Sequence, residues 1–130
     1  IRSLHKNHSP KGFPVITINP NDGKRSPGDS FEEMVSKARK KNYDFPYLLD
    51  ESQQVARAFG ATNTPHVFVL RREENAFIVA YIGTIDNNAR NGAQADKKYV
   101  ENAVNALLQN APVPLERTKA VGCGIKWNNS

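Results

Sequence analysis

Residues 60–70 read GATNTPHVFVL, and this stretch decides the fold. Gly60 suits the C-terminal end of a helix, because glycine reaches the left-handed conformation that closes one. Thr64-Pro65 is a break: proline cannot extend a helix and is tolerated at the first residue of a strand. His66 to Leu70 (HVFVL) then reads as an apolar strand. Outward on the C-terminal side, charged Arg71 to Asn75 predicts a hairpin connection to a second strand over Phe77 to Ile82 (FIVAYI). Residues 83–95 read as polar loop. From Asp96 onward Tyr99, Val100, Ala103, Val104, Leu107 and Leu108 recur as pairs four apart, the period of a helix that Pro112 and Pro114 end.

On the N-terminal side, Asp50 to Gln53 predicts the start of a short helix carrying Val55, Ala56 and Phe59. Phe45 to Leu49 (FPYLL) reads as a short extended segment, with Pro46 favouring an edge or a strand start. Ser30 to Glu33 has the capping-box pattern, and Phe31, Met34, Val35 and Ala38 follow as one apolar stripe. Residues 20–29 (PNDGKRSPGD) are loop chemistry throughout. Phe13 to Asn19 (FPVITIN) predicts a strand buried on both faces. Ile1, Leu4, His5 and His8 fall at helical spacing, as in the last turns of a helix that begins upstream. The pattern is a mixed, three-layer α/β sheet, with a domain over 1–114 and an irregular tail over 115–130.

Composition narrows the function. At 130 residues, 38% hydrophobic and 24% charged, the chain fits one compact domain rather than a disordered or membrane protein. Its longest apolar run, Ala76 to Ile82, is far below the ~20 residues that cross a bilayer. Residues 1–12 lack the layout of a signal peptide, and an export signal is expected upstream if there is one. The net charge of +5 is spread along the chain. Its one cluster, Lys37 to Lys41, reads as a solvated helix end, where cations suit the dipole, so nucleic acid is not an expected partner. The lone Cys123 cannot form an internal disulfide, a CxxC pair or a thiolate zinc site, and His5, His8 and His66 have no metal-ligand spacing, so no metal is expected.

Six blocks in order extend the reading to a family: KGFPVITINPND (11–22), SFEEM (30–34), FPYLLDESQQVARAFGA (45–61), TPHVFVL (64–70), YIGTIDNNAR (81–90) and KAVGCGIKW (119–127). Together they resemble the peroxiredoxin-like branch of the thioredoxin superfamily, the redoxin or alkyl-hydroperoxide-reductase/thiol-specific-antioxidant proteins. The resemblance implies a thioredoxin-like α/β/α fold, here lacking the first strand or strands and the start of the first helix. The redox cysteine of such proteins would then stand upstream of residue 1. It also implies a cis bond at Thr64-Pro65, with Asn63, Thr64 and Pro65 forming a substrate-binding edge. On the same basis Cys123 is the candidate resolving thiol, attacking an oxidised upstream cysteine; the alternative for it is an inert thiol packed with Ile125 and Trp127. His66, after the proline, is expected to point away by strand alternation.

The function so implied is that of a thiol-dependent oxidoreductase acting on peroxides or protein disulfides. Its partners would be a thioredoxin-like protein or small thiol as reductant, a peroxide or disulfide as substrate, and a second copy in a homodimer. No organic cofactor is implied. The 130 residues alone are expected to be inactive in two-cysteine turnover, since one sulfur forms no internal disulfide. Relatives of this type often carry export signals, which points to a bacterial periplasmic or otherwise exported setting, with the cytoplasm left open. The alternative from another class is a non-catalytic thioredoxin-fold module that holds extended peptides along Thr64-Pro65.

Overall fold

The computed structural model describes residues 2–88 and 94–128. Ile1 of the predicted helix, residues 89–93 of the polar loop, of which 89 and 90 also end the 81–90 block, and residues 129–130 of the tail lie outside them. Contacts divide the chain into two compact units, one of residues 1–61 with 125–130 and one of residues 62–124. The segment after residue 114 is thus shared between the two. No helix among the described residues is long and apolar enough to cross a membrane.

The first unit holds helices α1 (Arg2–His8), α2 (Phe31–Lys40) and α3 (Gln54–Phe59) and the parallel strands β1 (Thr17–Asn19) and β2 (Tyr47–Leu49). The strand expected over 13–19 is shorter, and it is not buried on both faces: Ile18 is 40% exposed. The cause is local. Pro14 has no N–H to give a ladder, and the Val15 N–H goes to His5 Nδ1 at 3.1 Å, so regular pairing starts at Thr17. Ser30 caps α2 through its hydroxyl, which accepts the Glu33 N–H. The returning arm of the capping box is replaced, since the Ser30 N–H donates to the Pro27 carbonyl.

Helix α3 is capped differently from the sequence expectation. Its N-cap is Gln53, in the left-handed conformation with φ 63° and without a capping side-chain bond. Buried Asp50 serves instead, its carboxylate accepting the N–H groups of Val55 (3.4 Å) and Ala56 (2.8 Å). Gly60 closes the helix at φ 73° as its position predicts. Asp50→Ala leaves the Ala56 N–H without its acceptor, and the expected cost is about 1–2 kcal/mol. Asp50→Asn, which keeps one acceptor oxygen, should lose less; urea unfolding midpoints of the two variants check both.

The second unit holds β3 (Asn63–Thr64), β4 (Val67–Glu73), β5 (Ala76–Gly83), helix α4 (Tyr99–Leu108) and β6 (Cys123–Gly124). The predicted hairpin is present and longer than the apolar runs, because β4 and β5 pair antiparallel out to Glu73 and Ala76, leaving Glu74-Asn75 as the turn. Val100, Ala103 and Val104 of α4 are buried, and the helix packs on β4 and β5. Tyr81 is wholly buried. Beside β5, Ile82 N–H donates to Glu116 O and Thr118 N–H to Ile82 O, so residues 116–118 run along that strand.

Candidate functional site

The structure brings the four residues singled out from the sequence into one place. Strand β3 pairs antiparallel with β6, in the register Asn63–Gly124 and Thr64–Cys123. Residues directly opposite in an antiparallel pair carry their side chains on the same face, with Cβ atoms about 4.5–5.5 Å apart. Thr64 is followed by Pro65, and the bond between them is cis. Cys123 is exposed. Part of the expected irregular tail is therefore strand, and it occupies an edge that the sequence reading reserved for an external peptide.

Gly122 explains why the tail can lie there. A Cβ on this residue would stand 2.3 Å from the Thr64 carbonyl oxygen and 3.0 Å from Pro65 Cδ, so only a glycine admits this approach. Gly122 thus gives contact rather than freedom, while a Cβ at Gly124 would meet nothing within 4 Å.

Side chains continue the arrangement. Asn63 Nδ2 donates to the Gly122 carbonyl at 3.0 Å, and the Thr62 hydroxyl donates to Asn63 Oδ1 at 2.7 Å. The Thr62 N–H donates to His66 Nδ1 at 3.1 Å. His66 precedes β4 rather than lying in it, so alternation does not orient its ring; the bond to Thr62 does, and it places the imidazole proton on Nε2. Burial, and after it the charge of Arg117, hold the His66 pKa below the ordinary histidine value, which favours this neutral form.

In the other unit, residues 125–128 are secured by groups that no sequence signal marked. Gln53, 2% exposed, donates from Nε2 to the carbonyls of Pro20 (2.8 Å) and Lys126 (3.0 Å) and accepts the Asn128 N–H at 2.9 Å. Asn21 Oδ1 accepts the Lys126 N–H at 2.8 Å, Arg25 reaches the Trp127 carbonyl, and Arg57 lies over the Trp127 ring. In the same loop Asp29 keeps a pKa below the usual carboxylate value: burial raises it, but the hydrogen bonds from Ser26, Asn21 and Asn19 outweigh that. No group of three or more potential ligand side chains among the described residues is placed to hold a metal.

A mixed α/β chain whose Thr-Pro turn opens an antiparallel hairpin, with a thiol in register beside that turn, is of the thioredoxin-like class. It superposes on an uncharacterized conserved protein from Geobacillus kaustophilus with a TM-score of 0.88 at 36% identity, covering 99% of this chain and 67% of that one. A hypothetical protein from Sinorhizobium meliloti 1021 gives 0.84 at 32% identity, covering 99% and 69%. The chain belongs to the AhpC/TSA family, which it matches over residues 1–87. Pro65 lies inside the matched span, and Cys123 lies beyond it. No curated protein matches the chain significantly. Membership supports an oxidoreductase or peroxidase kind of function of the thioredoxin-like type.

Proposed function

We propose that the protein is a thiol-dependent oxidoreductase that reduces peroxides or protein disulfides, with Cys123 as its resolving thiol. The observation that carries this reading is the register of β3 and β6, which sets exposed Cys123 opposite Thr64, the residue before Pro65. In the peroxide reaction, the thiolate of a second cysteine takes one oxygen and becomes a sulfenic acid, releasing an alcohol or water. The Cys123 thiol then attacks that sulfur, forming a disulfide and expelling water. Two equivalents of thiol from a thioredoxin-like protein or a small thiol return both sulfurs to the reduced state. Cys123 is the one cysteine in these 130 residues, so the second sulfur is supplied from outside them. Asn63, Thr64 and Pro65, which stand against the strand that carries Cys123, are the residues beside which the oxidised partner is received. The other reading, a non-catalytic module that holds peptides on this edge, is less favoured because β6 already pairs with it.

The test uses the full-length protein with a thiol donor, measuring consumption of hydrogen peroxide and reduction of insulin disulfides. Turnover is expected, together with a disulfide at Cys123 found by mass spectrometry after peroxide treatment. In Cys123→Ser the sulfenic acid should persist and be trapped by dimedone. Absence of turnover and of any Cys123 disulfide would favour the binding module instead.

A further inference from the structure

The strand that carries the thiol is tied to β3 by a side-chain relay in which Thr62 donates both ways, to His66 and to Asn63. His66 Nδ1 accepts the Thr62 N–H, the Thr62 hydroxyl donates to Asn63 Oδ1, and Asn63 Nδ2 donates to the Gly122 carbonyl. That carbonyl belongs to the peptide bond whose nitrogen is the one of Cys123. β3 and β6 have two residues each, so few backbone bonds join them and one side-chain bond is a large share of the total. Asparagine suits the central place because its amide accepts on one atom and donates on the other.

We propose that Asn63 is a positioning residue for the Cys123 thiol, holding its strand on β3 for the partner sulfur, and that His66 is the acid-sensitive end of the same relay. This rests on the reading of Cys123 as an exchanging thiol. With the relay intact, the sulfur is kept beside Thr64 and Pro65. With the relay cut, the strand opens more often, and the thiol exchanges more readily with small disulfides while losing its place for the partner. Protonation of His66 removes the lone pair that accepts the Thr62 N–H. Among the described residues Arg117 is the charged group acting on the ring, with Phe68 against its face. The positive guanidinium opposes protonation, so the relay holds at neutral pH and fails in acid.

Two measurements on the folded protein test this. The first is amide hydrogen exchange over residues 122–124, corrected for intrinsic rates. The second is the rate of mixed-disulfide formation between Cys123 and glutathione disulfide, in which the thiolate displaces one glutathione thiolate. In Asn63→Ala both should rise roughly three- to tenfold, the range that loss of one hydrogen bond gives. Asn63→Asp keeps the shape but cannot donate to the Gly122 carbonyl, so it should match or exceed Ala; behaviour like the parent protein would overturn the proposal. Lowering the pH below the ordinary histidine range should raise amide exchange in the parent protein but not in His66→Gln, whose carbonyl accepts the same N–H without titrating. A pH response that survives in His66→Gln would overturn the role of His66. Unchanged rates in both Asn63 variants would overturn the positioning whatever the turnover, and faster rates without any turnover would leave it standing while the redox reading falls.

Discussion

Alanine at residue 122 should open the ladder between β3 and β6 and, on the proposed role of Cys123, cost most of the proposed thiol-dependent turnover. The added Cβ would fall 2.3 Å from the Thr64 carbonyl oxygen, 2.8 Å from its carbon and 3.0 Å from Pro65 Cδ. These are backbone and ring atoms, which cannot swing aside as the tip of a long side chain does. The residue also sits at φ 156°, where side chains are rare. Relief by compression would cost on the order of 1–3 kcal/mol, the usual cost of overpacking. The two-residue ladder offers little against that, with each hydrogen bond worth about 0.5–1.5 kcal/mol net. The strand should therefore lift off rather than squeeze. Amide exchange over 122–124 should approach that of an open chain. Turnover should fall by about tenfold or more, since a displacement of about an ångström from productive geometry can cost 10²-fold. Gly124→Ala is the control, because its Cβ would meet nothing within 4 Å. Native-like amide protection together with native turnover in Gly122→Ala would refute both the steric account and the part assigned to the ladder.

What the sequence disclosed follows from the range of the signal. Local patterns carried well: Ser30 caps α2, Gly60 ends α3, and Val100, Ala103 and Val104 form the buried stripe of α4. The residues proposed for the candidate site came from the family resemblance rather than from any local pattern. Their juxtaposition was not legible. Thr64 and Cys123 pair across a long stretch of chain, and two-residue strands have no periodicity to read. Gly122 had a real signal, a glycine beside a cysteine, but glycine marks close approach and freedom alike, and the contact with Thr64 decides which. Gln53 was hidden for a different reason. It looked like a polar helix-start residue, yet its amide is buried against Pro20, Lys126 and Asn128, partners that no spacing rule connects to it. The strand at 13–19 failed through one competing bond, since a histidine nitrogen took the N–H that regular pairing needed.

Tyr81→Ala should be the most destabilising single change in the hairpin unit, at about 3–5 kcal/mol, the range for large buried side chains. The ring is 0% exposed. Its hydroxyl is 2.5 Å from the Thr84 carbonyl, to which it donates, and 2.6 Å from Thr118 Oγ1, which in turn accepts the Thr84 N–H at 2.9 Å. These bonds tie residue 118 to the end of β5, where a Cβ on Gly83 would stand 2.0 Å from Thr118 Oγ1. Tyr81→Phe separates the two contributions. It keeps the packing and orphans the Thr84 carbonyl, so it should cost about 1–3 kcal/mol. In a cycle with Thr118→Val the two losses should not add, because the residues share one network. pH gives a further check. Burial raises the phenol pKa, with Tyr99 adding to it and the Thr118 bond partly opposing it. The unfolded tyrosine ionises near pH ~10 while the folded one holds its proton. Stability therefore declines as the pH climbs past that point, and this part of the decline should vanish in Tyr81→Phe. Urea unfolding at neutral and alkaline pH measures all of it; a cost for Tyr81→Phe equal to that for Tyr81→Ala would mean that the hydroxyl, not the buried ring, carries the stabilisation.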